Sequence, residues 1–196
     1  RSSELYRRLV ERLVANRDDA AAALGSGIEI VDELGPEGFL PRHTPSLEGS
    51  PVDYVIVTST ELEPSFADIA AWKTKRGLPA TVKTISWIEA NYPGGCDTAE
   101  RIRLFIQDAY ESWGTTYVLL GGDTNIIPAR STWTDYAEGR EIFTDLYYSD
   151  LDGTWNADGD ALFGEGYAGP SNPGDDVDLY PDVFVGRAPV ANLVEA

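Results

Sequence analysis

The sequence contains no methionine, one cysteine and one histidine, and no apolar run approaches the roughly 18 residues of a membrane span. A single cysteine excludes an internal disulfide and is compatible with either redox compartment. Basic residues are also scarce. Fifteen Lys and Arg stand against 33 Asp and Glu, and the net charge of -18 repels phosphate backbones and anionic membrane surfaces. No nucleic-acid partner is therefore expected. No G-x-G-x-x-G or P-loop follows any apolar run, which removes the common nucleotide and flavin sites, and no repeat with a period of twenty to fifty residues is present. No signal peptide is visible in these 196 residues. Because the chain starts at Arg1 and lacks methionine, its natural amino terminus is expected to lie elsewhere, and the missing signal says nothing of export.

What remains is ample for a core: 196 residues, 42% hydrophobic and 11% aromatic, suit one domain of ordinary size with a small appendage. Leu5, Leu9, Val10, Leu13 and Val14 recur at helical spacing, so residues 3–24 read as an amphipathic helix. A Gly-, Pro- and Ser-rich connector follows. The expected division is residues 1–50 as helix and connector, and 51–196 as the folded domain. From Val52 the pattern is regular. Residues 53–58 form a strand, Pro64 to Arg76 a helix closed by Gly77, and Ala80 to Ile85 a second strand. Asp97 and Glu100 have the form of a capping box, and Ile102, Phe105, Ile106, Ala109, Tyr110 and Trp113 carry the apolar stripe of the helix behind it. Tyr117 to Leu120, cut off by Gly121-Gly122-Asp123, is a central parallel strand buried on both faces. Connections this short predict right-handed crossovers and an α/β, doubly wound, mostly parallel sheet with helices on both faces. Glu141 to Tyr148 and Val183 to Gly186 add further strands.

His43 precedes Cys96 by about fifty residues, the separation found in caspase-type dyads. Their contexts argue against that chemistry. His43 lies between Pro41 and Pro45 in the connector, and Cys96 lies in Tyr92-Pro-Gly-Gly-Cys96 just ahead of a helix. A dyad must project from neighbouring strand ends to share a proton. The helix start behind Cys96 is expected to lower its thiol pKa somewhat, yet no base is placed beside it, and no catalytic residue is assigned in this chain. Asp123 stands at the carboxyl edge, where ligands of doubly wound sheets bind, but a turn former that caps neighbouring amides accounts for it more simply. A phosphoryl-accepting receiver domain is disfavoured, since Thr58-Ser59-Thr60 occupies the place of its magnesium-binding acidic pair.

The densest chemistry is in Asp135 to Asp182, where thirteen carboxylates face Arg140 alone. Asp150, Asp152, Asn156, Asp158 and Asp160 place oxygen-bearing side chains at close intervals relieved by glycines, and Glu165 follows. Such a loop can close around calcium, which takes six to eight oxygen ligands. A string of solvated Asx turns is the competing account. An EF-hand is a poor fit, because Trp155 stands where that loop needs glycine.

Eight pieces in order carry a family resemblance: Tyr54-Val-Ile-Val-Thr58; Trp72-Lys73 before Gly77; Thr98-Ala-Glu-Arg-Ile-Arg103; Tyr110-Glu-Ser-Trp113; Tyr117 to Leu120 with Gly122-Asp123; Ile127-Pro128; Thr144 to Tyr148; and Tyr180 to Arg187 followed by Pro189-Val190. From about Val52 onward the chain resembles the first half of a gingipain-type cysteine peptidase. The resemblance implies a caspase-like α/β fold, also flavodoxin-like in outline, with secretion or a cell-surface location, endopeptidase activity and structural calcium. It also implies that the His-Gly motif and the nucleophilic Cys follow later strands, in a catalytic half of the same polypeptide that this chain lacks. Peptide or protein substrates are expected of that full enzyme. The alternative is a calcium-stabilised, non-catalytic extracellular or cell-surface interaction domain of the same fold.

Overall fold

A computed structural model describes residues 51–134, 140–166, 174–177 and 180–196. The expected amphipathic helix, the connector and His43 lie outside the described residues, as do Asp135, Glu138 and Asp178. The described residues belong to one compact unit.

The first strand, β1 (Tyr54–Thr58), leads into α1 (Glu63–Lys75), β2 (Ala80–Thr84), α2 (Ile85–Asn91) and α3 (Thr98–Asp108). A π-turn (Ala109–Trp113) extends α3 and ends at Gly114, whose φ of 68° places it in the left-handed region that glycine tolerates. Strand β3 (Tyr117–Gly121) follows, then β4 (Arg130–Thr134), β5 (Arg140–Thr144), a 3-10 turn (Leu146–Tyr148) and β6 (Phe184–Ala188). The sheet order is β2-β1-β3-β6, and every pairing in it is parallel. The expected α/β sheet is therefore present, with β1 and β3 at its centre.

Both faces of the sheet are covered. Along β1, Val55 and Val57 join one core cluster with Ile102, Phe105 and Ile106 of α3, while Ile56 joins a second cluster with Phe66 and Ala70 of α1. The alternation of a strand thus feeds two separate cores. Each helix begins where a side chain accepts an orphan amide or a proline removes one. Thr84 accepts from Trp87 N at 3.2 Å, Asp97 accepts from Glu100 N at 2.8 Å, and Pro64 sits in the first turn of α1.

Several boundaries differ from expectation. The second strand stops at Thr84, because that threonine caps α2, a helix whose seven residues are too few for an apolar stripe to declare itself. The stretch from Glu141 to Tyr148 is a strand only through Thr144. It pairs antiparallel with β4 in a separate two-stranded sheet, and the chain then coils so that Tyr147 and Tyr148 are buried. The last strand runs from Phe184 to Ala188, beginning one residue later and ending two later than the aromatic run suggests.

Candidate functional site

The carboxyl edge of the sheet is closed by packing. Thr58 donates its hydroxyl to Gly121 O at 2.5 Å, and a Cβ on Gly121 would lie 2.6 Å from the Phe66 ring, so only glycine lets α1 approach β3 this closely. Asp123 behaves as a turn residue. Its carboxylate accepts Thr124 N at 2.7 Å, its carbonyl accepts the amides of Ile126 and Ile127, and its own amide donates to Val190 O. Arg187 of β6 crosses the same edge. It donates to Gly122 O and Ile127 O at 2.9 Å and to the Asp145 carboxylate at 2.6 and 2.8 Å. The bond from Asp145 raises the Arg187 pKa, against the cost of its burial.

Beyond that edge, the six residues expected to hold a metal divide into two groups. Asp158, Asp160 and Glu165 each bring a carboxylate oxygen within 4.8 Å of the others. Asp158 and Asp160 are exposed, whereas Glu165 is buried. Asn156 stands beside them, donating to Asp160 O and accepting from Gly159 N, both at 2.9 Å. Asp175 shapes this loop by accepting the amides of Ala157, Gly164 and Glu165. Asp150 and Asp152 instead converge with Asp182. Asp150 is fully buried, and its carboxylate accepts Gly153 N at 3.0 Å and the Trp155 indole at 2.9 Å. Asp182 accepts Leu151 N at 2.9 Å. Across this second group lies Arg103 of α3, which donates to the carbonyls of Tyr147, Asp150 and Gly153.

Cys96 is exposed. Its thiol pKa is raised, first by a hydrogen bond with Glu100, then by burial and by the charges of Asp97 and Glu100. The expected lowering fails for a local reason: Asp97 is the N-cap of α3, and the helix start is occupied by carboxylates that disfavour a thiolate. The amide of Cys96 also donates to Glu100 at 2.6 Å. Asp97 in turn takes both terminal nitrogens of Arg130, at 2.7 and 2.9 Å. The Arg130 guanidinium lies 3.9 Å from the Phe163 ring centre and 4.4 Å from that of Tyr147.

The model of peptidase family C25 matches residues 48–196. The chain belongs to that family. Among solved structures it is similar to the Arg-specific cysteine proteinase gingipain R (RgpB), at 27% identity over 74% of this chain and 26% of that one, with a TM-score of 0.45. The complex of the pro- and mature domains of RgpB from Porphyromonas gingivalis matches at 27% identity over 69% of this chain and 24% of that one, with a TM-score of 0.44. Dimeric latent PorU from the same organism matches at 21% identity over 76% of this chain and 15% of that one, with a TM-score of 0.48. The C25 chain thus spans about a quarter or less of the solved structures it matches. No curated protein matches it.

Calcium was implied by this resemblance, and the two acidic groups fit it unequally. Around Asp158 the donors are oxygens only, two of the carboxylates are open to solvent, and the set suits a hard cation. Around Asp150 the set is less open, because the carboxylate is buried and each of its oxygens already receives a donor. The residues that sequence reasoning missed in the C25 chain are its arginines. Arg103, Arg130 and Arg187 lie outside or at the edge of the acid-rich run and fold back onto it. Their sequence signal was faint but present: each is a cation inside or beside an otherwise apolar stretch.

Proposed function

We propose that this C25 chain is the amino-terminal scaffold subdomain of a secreted or cell-surface gingipain-like cysteine endopeptidase, whose catalytic His and Cys lie in polypeptide beyond Ala196. The observation that carries the reading is the family match over residues 48–196 in a chain spanning about a quarter of the solved structures it resembles. The chemistry of the described residues supports it. They include no histidine, and Cys96 has a raised pKa with a carboxylate beside it rather than a base. β6 has one neighbour, β3, among the described residues, and Phe184 on it is half exposed. Its outer edge is where the catalytic part would continue the sheet, with peptide or protein substrates bound by the completed enzyme. No helix among the described residues is long and apolar enough to cross a membrane. Residues 1–50 would precede this subdomain as a separate helix and connector.

Calcium belongs to this reading as a structural ion. Asp158, Asp160 and Glu165 would hold it, with Asn156 beside them, and its charge would relieve repulsion among carboxylates that the folded loop otherwise bears.

The test is peptidase activity. The purified chain should hydrolyse no peptide substrate, and Cys96→Ala should leave that unchanged, while the same chain extended through the downstream coding sequence should cleave. Hydrolysis by the chain alone, abolished by Cys96→Ala, would sink the scaffold reading.

A further inference from the structure

We propose that Arg103 is the internal cation of the turn from Tyr147 to Trp155, so that Asp150, Asp152 and Asp182 form a metal-independent latch and not a calcium site. The inference departs from the calcium expectation for Asp150 and Asp152, and it does not depend on whether Asp158 and its neighbours hold an ion.

The turn needs a cation because of how its backbone points. The carbonyls of Tyr147, Asp150, Leu151 and Gly153 are all directed at α3. Inward carbonyls are tolerated only where donors meet them. Arg103 and Gln107, one helical turn apart and therefore on one face of α3, supply those donors. Arg103 Nε reaches Tyr147 O at 3.0 Å and Asp150 O at 3.1 Å, while its Nη2 reaches Asp150 O at 2.7 Å and Gly153 O at 2.8 Å. Gln107 Nε2 donates to Leu151 O at 2.7 Å. The guanidinium also lies 5.2 Å from the Tyr147 ring centre. Burial pushes the Arg103 pKa down, and Tyr147 and Asp150 pull it back up.

These are the oxygens a calcium ion would claim. Calcium takes six to eight oxygens at about 2.3–2.6 Å, usually mixing carbonyls with carboxylates. Here the carbonyls face a planar fork of N–H donors, and an arginine keeps its charge throughout the physiological range. The carboxylate side is engaged as well, since one Asp150 oxygen accepts Gly153 N and the other the Trp155 indole. The buried negative charge of Asp150 is balanced from within the protein, as buried charges must be.

Amide hydrogen exchange on the full chain tests the latch at Leu151, whose N–H donates to Asp182, and at Gly153, whose N–H donates to Asp150. In wild type, exchange at both amides should be the same within about twofold in chelator and in millimolar calcium. Arg103→Ala should speed it by about tenfold or more in chelator, and Arg103→Gln, which keeps one donor group, should fall between. Calcium-dependent slowing confined to residues 156–165 supports the latch and the calcium reading together. Slowing at neither place supports the latch and removes the calcium reading. Tenfold slowing by calcium at Leu151 and Gly153 overturns the latch, as does wild-type exchange there in Arg103→Ala. Should Arg103→Ala fail to fold, the wild-type comparison and Arg103→Gln decide the matter.

Discussion

In the sheet, Val55, Ile56, Val57, Val118 and Leu120 are at most 2% exposed, and the strands join one another through backbone ladders to which the Thr58 hydroxyl adds its bond to Gly121 O. In the segment between β5 and β6 the backbone bends through a 3-10 turn and a series of Asp-capped turns, and three arginines gather it in, Arg103 of α3 and Arg187 of β6 by hydrogen bonds and Arg130 of β4 by lying over the Tyr147 and Phe163 rings. One region is stabilised by removing apolar surface from water, which is non-directional and insensitive to the screening of charges. The other is stabilised by charge-assisted hydrogen bonds, which are directional and respond to pH and to ions. The protein thus separates a sheet that resists chemical change from a segment that, though anchored in the core by Tyr147, Tyr148, Leu151 and Trp155, holds its turns by bonds that can be tuned.

The sharpest way to test that division is to damage each side in its own currency. Phe105 is fully buried and meets the rings of Trp87, Tyr92 and Trp113 edge-on, with centroids 5.6 to 5.9 Å apart. Phe105→Ala should cost about 3–5 kcal/mol through lost transfer energy and the cavity left behind. In a domain of this size the melting temperature should fall by on the order of ten degrees. The loss should be the same at low and high salt, and a salt-dependent loss would break the comparison.

Asp97→Asn attacks the other side by leaving the Arg130 guanidinium, only 7% exposed, without its ion pair. A hydrogen bond to a charged group is worth about 1.5–3 kcal/mol, and the 43% exposure of the Asp97 side chain favours the lower end. The pH dependence has a definite sign. Burial raises the Asp97 pKa, but hydrogen bonds from Arg130 and from the Glu100 amide outweigh it, so the folded value is depressed. A depressed carboxylate contributes stability that is fully present above its unfolded pKa of about 3.9 and is lost as pH falls through the folded value. Melting curves of wild type and Asp97→Asn should therefore differ by a constant amount from neutrality to about pH 5 and converge in more acid solution. Divergence on acidification would show that some other group governs the pair.

The smallest expected effect is that of calcium. Millimolar calcium should raise the wild-type melting temperature by a few degrees through preferential binding to the folded state, and magnesium, which gives up its waters reluctantly, should do so less. Asp158→Asn combined with Asp160→Asn should remove the rise. If wild type shows none, the loop is a string of solvated turns.

The two regions were also unequally legible in the sequence. The sheet could be read because Val55-Ile56-Val57 and Val118-Leu119-Leu120 are continuous apolar runs bounded by turns, a pattern with few other uses. Asp97 declared its helix by the capping box, and the observed bond from Glu100 N agrees. The acid-rich segment could be read as a place but not as an arrangement. Which of Asp150, Asp152, Asn156, Asp158, Asp160 and Glu165 meet depends on where Arg103 and Asp175 sit, and those lie tens of residues away on one side and beyond Glu165 on the other. Periodicity reports a residue's own element, whereas a loop's shape is decided by partners elsewhere. The thiol of Cys96 was misjudged for the same reason: helix position argued one way, and the neighbouring carboxylates of Asp97 and Glu100 outweighed it.

The strand order has a kinetic consequence. β2, β1 and β3 are joined by short helical crossovers, so their contacts close quickly once the chain has passed Gly121. β6 must pair with β3 across the whole acid-rich excursion, and closing so long a loop delays the reward of the contact. During folding the outer edge of β3, with Tyr117 on it, is therefore bare until β6 arrives, and an unpaired central strand is the kind of surface on which chains aggregate. The density of carboxylates between β5 and β6 then has a use before the native state exists, as mutual repulsion keeps two half-folded copies apart while each completes its own sheet.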